Sequence, residues 1–182
     1  ITHIRQAPGK YSYASAGVGT TSNMTGELMR TRNGLDFLHV PYKGGPAMDQ
    51  AVAADEVQFS FDSPGSVMQL HRAGKVRILA LLTETRSELA PDIPTALESG
   101  VNLVSQVSFF VLAPARTPKS IVDSLNQAIT QVVRSADFRG ELLAIAVQPA
   151  ASANATGAHE FVKAEVERWK EVVKAVVPNP AN

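Results

Sequence analysis

The sequence predicts an α/β fold built on a largely parallel sheet. Three observations carry that prediction. Strand-like runs alternate with helix-like runs, the strand ends are marked by glycine or proline turns, and one apolar run suits a strand buried on both faces. Tyr11-Ser12-Tyr13-Ala14-Ser15 reads as the first strand, and Ala16-Gly17-Val18-Gly19-Thr20 turns it. Thr21 or Ser22 is placed to cap a helix through Met24, Leu28 and Met29 that ends at Asn33-Gly34. Phe37-Leu38-His39-Val40 is the next strand, stopped by Pro41, and Pro46 opens a helix through Met48 and Val52. Val57-Gln58-Phe59-Ser60-Phe61 alternates cleanly, and Asp62-Ser63-Pro64-Gly65 leads into a helix through Val67, Leu70 and His71. Val76-Arg77-Ile78-Leu79-Ala80-Leu81-Leu82 is the near-continuous apolar run expected of a two-faced strand.

The texture then changes. Residues 83–101 are polar and punctuated by Pro91 and Pro94, with a short helix expected over 95–98. Residues 107–112 read as a further strand, and a domain change is expected near 107–117. A helix with Ile121, Leu125, Ile129, Val132 and Val133 on one face follows, then a short helix over 138–146. Ala146-Val147-Gln148 is a weak strand candidate, and a last helix carries Phe161, Val162, Val166, Trp169, Val173 and Val176. The two long apolar faces need a sheet to cover them, so this stretch is expected to complete a lobe whose sheet lies elsewhere. Ile1-Thr2-His3-Ile4-Arg5-Gln6 reads as a helix tail, and the chain is expected to continue upstream.

Composition narrows the function. The 182 residues are 45% apolar, and seventeen basic residues balance seventeen acidic ones. A nucleic-acid partner is not expected, because such proteins cluster Lys and Arg to displace counterions. The chain has no cysteine, which excludes disulfides, thiolate catalysis and cysteine-bound zinc. The four histidines, His3, His39, His71 and His159, are scattered without metal-ligand spacing. His39 lies within an apolar strand and reads as a packed residue. No nucleophile–base set or nucleophile elbow is evident, so no enzyme is expected. No cofactor is expected either: the third glycine of a dinucleotide fingerprint would fall at Ser22.

The stretch around the first turn is the most informative. Helix-opening N–H groups lack intrahelical partners and sit at the positive end of the helix dipole, which suits a carboxylate or phosphate. Ser15, Thr20 and Thr21 add hydroxyls, while an ordinary capped turn is the plainer alternative. Tyr42 and Lys43 follow the second strand at the edge where α/β sheets bind ligands; for Lys43 a solvated surface position is the simpler reading. Asp62, at the third strand end, either N-caps the next helix or accepts a hydrogen bond from ligand, water or the first loop.

Three motifs then stand in order: Tyr13-Ala14-Ser15-x-Gly17-x-Gly19-Thr20, His39-Val40-Pro41-Tyr42-Lys43-Gly44 and Phe61-Asp62. With Ala73-Gly74-Lys75-Val76-Arg77, Pro91-Asp92-Ile93-Pro94-Thr95-x-x-Glu98-Ser99-Gly100 and Phe109-x-x-Leu112-Ala113-Pro114, they resemble the solute receptors of tripartite tricarboxylate transporters, the Bug family. The resemblance implies a type II periplasmic binding protein-like fold, with two lobes of mixed sheets closing on a cleft. It implies that residues 1–112 form the second lobe and 113–182 the mainly helical return to a first lobe that is incomplete in this chain.

It further implies a signal peptide upstream and periplasmic capture of a small organic anion for a membrane permease. That anion is a di- or tricarboxylate, an acidic amino acid or an aromatic carboxylate. By position, Ser15, Gly17, Val18, Gly19, Thr20, Thr21 and Asn23 would grip a carboxylate. Tyr42 would line the site, Asp62 would fix its geometry, and Phe109 would lie near the cleft mouth. Where this chain has Asn23 the family often has His; Asn keeps hydrogen-bond capacity but cannot become cationic. The alternative is the ligand-sensing effector domain of a transcriptional regulator with the same bilobed fold. On this reading Thr20→Val should weaken ligand binding by about one to two orders of magnitude, the worth of one charge-assisted hydrogen bond, with a smaller effect on stability. Calorimetry on the complete protein is the measurement.

Overall fold

The sheet is organised around its central strand. In the computed structural model, which describes residues 1–88, 90–144, 147 and 155–176, β1 (Ser12–Ser15) lies between β2 (Leu38–Pro41) and β3 (Phe59–Ser60). Both pairings are parallel, with Tyr13 opposite His39 on one side and Phe59 on the other. Around it are α1 (Thr2–Gln6), α2 (Thr21–Asn33), α3 (Gly45–Ala53) and α4 (Pro64–Arg72).

Strand periodicity puts successive residues of β1 on opposite faces. Tyr13 packs with Ile4, Leu35 and Phe37 on one face, while Ala14 packs with Met48, Ala51 and Val57 on the other. Tyr13 is fully buried and is the hub of an aromatic cluster. Its ring lies 5.4 Å from Phe37, 6.0 Å from Phe59 and 4.9 Å from His39, centroid to centroid. Helix α2 can approach that ring only because residue 26 is glycine: a Cβ there would stand 2.2 Å from the Tyr13 Cε2.

Helix α2 begins one residue earlier than its sequence signal. Thr20, not Thr21 or Ser22, is the N-cap, and its side chain accepts from the Asn23 N–H. Gly34 ends the helix in the left-handed conformation, with φ 57°. The 76–82 run is not a strand. Leu81 alone makes a bridge, to Thr95, through Leu81 N–H to Pro94 O and Ala96 N–H to Leu81 O, both 2.8 Å. Leu79 is 72% exposed. A strand needs a ladder of neighbouring backbone, and among the described residues only that single bridge is present.

The expected strand over 107–112 is likewise irregular chain, for the same reason. The short helix expected over 95–98 is a set of turns. There Thr95 N–H donates to Glu98 Oε2 and Glu98 N–H to Thr95 Oγ1, a reciprocal capping box without a following helix. Ala146 and Gln148 of the weak strand candidate lie outside the described residues.

The chain divides into two compact units, Ile1–Val107 with the end of the last helix from Glu171, and Ser108–Lys170. The second unit contains α5 (Lys119–Arg134), α6 (Ala136–Ala144) and most of α7 (Ala155–Val176). The apolar faces of its long helices are open among the described residues: Ile121, Leu125, Phe161 and Val166 are all exposed.

Gly26→Ala is expected to destabilise the fold by about 1–3 kcal/mol, the usual cost of overpacking, although alanine favours a helix by about 1 kcal/mol. Chemical denaturation checks this, and an unchanged or raised midpoint would show that Tyr13 can yield.

Candidate functional site

The three strands end at one edge, and their order fixes where a crevice opens. From β1 the chain moves to β2 on one side, then crosses to β3 on the other, so the order in which the parallel strands are added reverses at β1. In open α/β sheets ligands bind at the carboxyl ends of the strands beside such a reversal. The loop after β1, the Tyr42–Gly44 segment after β2 and Asp62 after β3 meet there. Tyr42 N–H donates to Ser15 O at 2.8 Å and Gly44 N–H to Ala16 O at 3.4 Å. Asp62 Oδ2 stands 3.8 Å from where a Cβ on Gly45 would be.

The first loop is shaped by two glycines with positive φ, Gly17 at 126° and Gly19 at 78°, a region that side chains rarely adopt. Its inner hydrogen bonds are satisfied within the fold. Gly17 N–H donates to Ser15 Oγ at 3.1 Å, Gly19 N–H to Asn23 Oδ1 at 3.0 Å, and Ala16 N–H to Ser22 Oγ at 2.9 Å. Thr20 Oγ1 donates to Gly17 O at 2.6 Å, and Thr20 N–H reaches the same carbonyl at 3.3 Å. Among the described residues, no acceptor engages the N–H groups of Val18, Thr21 and Ser22. Val18 is 63% exposed and Thr21 is exposed, whereas Ser22 is buried, so the donors open to the outside are those of the loop's outer rim and the first residue of α2.

The expected ligand contacts therefore sort into two groups. Ser15 is fully buried and Asn23 is 1% exposed; both face inward, because the glycine N–H groups of the loop need buried acceptors. Thr20 is partly buried, its hydroxyl joined to Gly17 O and its oxygen capping α2. Val18, Gly19 and Thr21 lie on the exposed side. Tyr42 is partly buried, and its hydroxyl points to Glu56 Oε2 at 3.5 Å. Phe109 is 84% exposed and belongs to the second unit, outside the one that carries this loop cluster. Asp62 is not the N-cap of α4, which is Ser63; its carboxylate accepts from Ser63 N–H and the Ser66 hydroxyl, each at 2.7 Å.

Two side chains outside the expected site residues support the site: His39, expected only as a packed residue, and Asp49. His39 stacks on Tyr13, lies 2.6 Å from Ser15 Oγ through Nε2, and has Asn23 Nδ2 3.4 Å from both ring nitrogens. Burial lowers its pKa, with Glu27 opposing, so the ring is neutral at physiological pH. Asp49, on α3, is 6% exposed, and its Oδ1 has no hydrogen-bond partner among the described residues. Burial, then a hydrogen bond and repulsion from Asp62, raise its pKa to about 7. Asp49 therefore keeps its proton to a higher pH than an ordinary carboxyl. A lone Asp within a helix gives no sign of this, since its partner is thirteen residues away on another loop.

With this geometry in place, the chain's family is clear: it belongs to the tripartite tricarboxylate transporter receptor family, whose model matches residues 1–177. Among curated relatives, BugT of Bordetella pertussis is 31% identical over 96% of the chain and 53% of its own length. A UPF0065 protein of Pseudomonas sp. is 32% identical over 93% of the chain and 51% of its own length. The chain thus spans about half the length of the curated relatives it matches. Among solved structures, Rpa4515 of R. palustris with adipate aligns with a TM-score of 0.81 at 31% identity, over 96% of this chain and 58% of that one. MatC of Rhodopseudomonas palustris with bound malate aligns at 0.72 and 27% identity, over 95% and 60%. The fold is the α/β fold of periplasmic solute-binding proteins.

Two tests follow from the geometry. Thr20→Val removes the N-cap as well as a loop hydroxyl, so its expected effect is now a stability loss of about 0.5–2 kcal/mol beside any change in binding; an unchanged melting temperature would show that the cap is dispensable. For Asp49, the folded pKa lies above the unfolded value of about 4, so the folded state holds the extra proton. The stability this gives is full below pH ~4 and is lost as pH rises through about 7. Asp49→Asn keeps a permanent donor toward Asp62. It should melt a few degrees above wild type at pH 8, on the order of 1 kcal/mol, with the gap closing by pH 5. Parallel melting curves across that range would show that the two carboxyls are not coupled.

Proposed function

We propose that this protein is an extracytoplasmic receptor that captures a small organic carboxylate in the periplasm and delivers it to a tripartite tricarboxylate-type permease, without chemistry on the ligand. The observation that carries this reading is the pair of free, outward N–H groups at Val18 and Thr21. They sit where the α2 dipole, the reversal of strand order and the two neighbouring loops converge. Two well-aligned structural relatives hold adipate and malate, which supports a dicarboxylate as the ligand class.

On this reading Gly19, Val18, Thr20 and Thr21 form the rim that meets one carboxylate. Ser15, Gly17 and Asn23 hold the rim from beneath, Tyr42 and Asp62 flank it, and Phe109 belongs to the cleft's mouth. Residues 1–112 make up the lobe that carries the rim, and 113–182 are the return to the opposite lobe. Asn23 takes no charge, so the ligand's charge is met by backbone donors rather than by a side-chain cation.

The test is a thermal-shift and calorimetric panel on the complete protein: adipate, malate, citrate, glutamate, benzoate and a neutral amide. A dicarboxylate at about a hundred times its Kd should stabilise the protein by about 2.7 kcal/mol, while the neutral amide leaves it unmoved. A panel in which no carboxylate shifts the melting temperature would sink the receptor reading.

A further inference from the structure

We propose that His39 is a positioning residue for the carboxylate rim: a buried clamp that sets which loop N–H groups face outward. Two of the inward hydrogen bonds that hold the loop come from its glycines, Gly17 N–H to Ser15 Oγ and Gly19 N–H to Asn23 Oδ1. The two accepting side chains come from different elements, Ser15 from β1 and Asn23 from α2. His39, from β2, touches both: Ser15 Oγ at 2.6 Å and Asn23 Nδ2 at 3.4 Å. Its register opposite Tyr13 makes this possible, and the stack on the Tyr13 ring fixes the imidazole plane.

Either tautomer serves. A ring protonated at Nδ1 accepts the Ser15 hydroxyl at Nε2, and a ring protonated at Nε2 donates to Ser15 Oγ. From the other side, Asn23 Nδ2 donates to Tyr13 Oη at 2.9 Å, and Tyr13 in turn donates to Glu27 Oε1 at 3.1 Å. The amide of Asn23 is thereby oriented, with its oxygen facing Gly19. With Gly17 and Gly19 N–H drawn inward, Val18 N–H and the Thr21 N–H at the start of α2 are left to the outer side. Ser15 Oγ lies 3.1 Å from Gly17 N and 3.3 Å from Gly17 O, and its shortest contact is the one to His39; an apolar residue at 39 would remove the partner that holds the hydroxyl in this position, and with it the fixed acceptor of the Gly17 N–H.

What the rim is for rests on the receptor reading above, but the clamp itself does not, and the experiment separates the two. The complete protein is prepared as wild type, His39→Gln, His39→Leu and His39→Phe. Amide hydrogen exchange at Gly17 and Gly19 is measured without ligand, and adipate is titrated by calorimetry. Glutamine can bond Ser15 from the same strand position, whereas leucine and phenylalanine keep only the packing. The clamp requires exchange at both glycines to accelerate at least tenfold in the apolar variants, with overall melting near wild type and protection restored in His39→Gln. Adipate affinity should follow the same order, dropping tenfold or more in the apolar variants.

Unchanged glycine exchange in a folded apolar variant overturns the proposal. If neither apolar variant folds, His39→Gln decides: protected glycines uphold the clamp, and glycines exchanging at peptide rates overturn it. A wild type that does not bind adipate counts against a dicarboxylate ligand and leaves the exchange result standing.

Discussion

The structure depends first on a buried phenol. Tyr13 sits in the middle of the central strand with no exposed surface, so its ring needs close neighbours on every side and its hydroxyl needs partners away from water. The ring draws in Phe37 from the approach to β2, His39 from β2 itself and Phe59 from β3, which helps set the strand order and register. It also demands a glycine on α2, since the helix packs across the ring at Gly26. The hydroxyl lies between Asn23 Nδ2 and Glu27 Oε1, two residues one turn apart on α2, so the same contact fixes the rotation of the helix about its axis. Burial and the nearby Glu27 raise the phenol's pKa well above the ordinary tyrosine range, so it remains a neutral donor.

That rotation passes into the loop. With Asn23 pinned by Tyr13, its oxygen is presented to Gly19, and Thr20 falls at the N-cap one turn earlier. Anion sites at helix starts work by leaving donors unpaired, but unpaired backbone is costly wherever water cannot reach it. Here the two demands are divided by position. The donors beneath the loop are matched to side chains, and the ones open to the outside lie at its exposed rim and the first residue of α2. The two positive-φ glycines are what allow the chain to alternate between these directions within three residues.

This division explains what was legible in the sequence and what was not. The alternation of Tyr11–Ser15, the glycine pair and the apolar spacing of α2 and α3 are local signals, and the elements they mark are present. The 76–82 run failed because hydrophobicity says that a segment wants burial, not that a neighbouring strand stands beside it; only Leu81 finds one. The loop was legible as a place but not as a pattern of directions. Ser15 and Thr20 look alike as hydroxyl donors, yet one is fully buried and the other caps a helix. His39 was legible as a packed residue, but its contact with Ser15 required the register of β1 and β2, which no short motif encodes. Asp49 left no trace because a carboxylate in a helix reads as a solvated face until its burial is known.

Asp49 and Asp62 raise a further question of charge, because a carboxylate pair beside the proposed carboxylate rim ought to repel such a ligand. The raised pKa of Asp49 answers part of it. With its pKa raised to about 7, Asp49 is only about half ionised near neutral pH, so it adds less negative charge than an ordinary carboxylate would. The remaining charge on Asp62 is met locally by the Ser63 N–H and the Ser66 hydroxyl, both at the start of α4, where the helix dipole also favours an anion. Asp62 is therefore an anion already seated at a helix start, one strand away from the start of α2, where the free donors remain. Three helices open after the strands at this edge, and two of them contrast: α4 has a carboxylate of the chain itself at its start, whereas α2 has none and keeps its donors open.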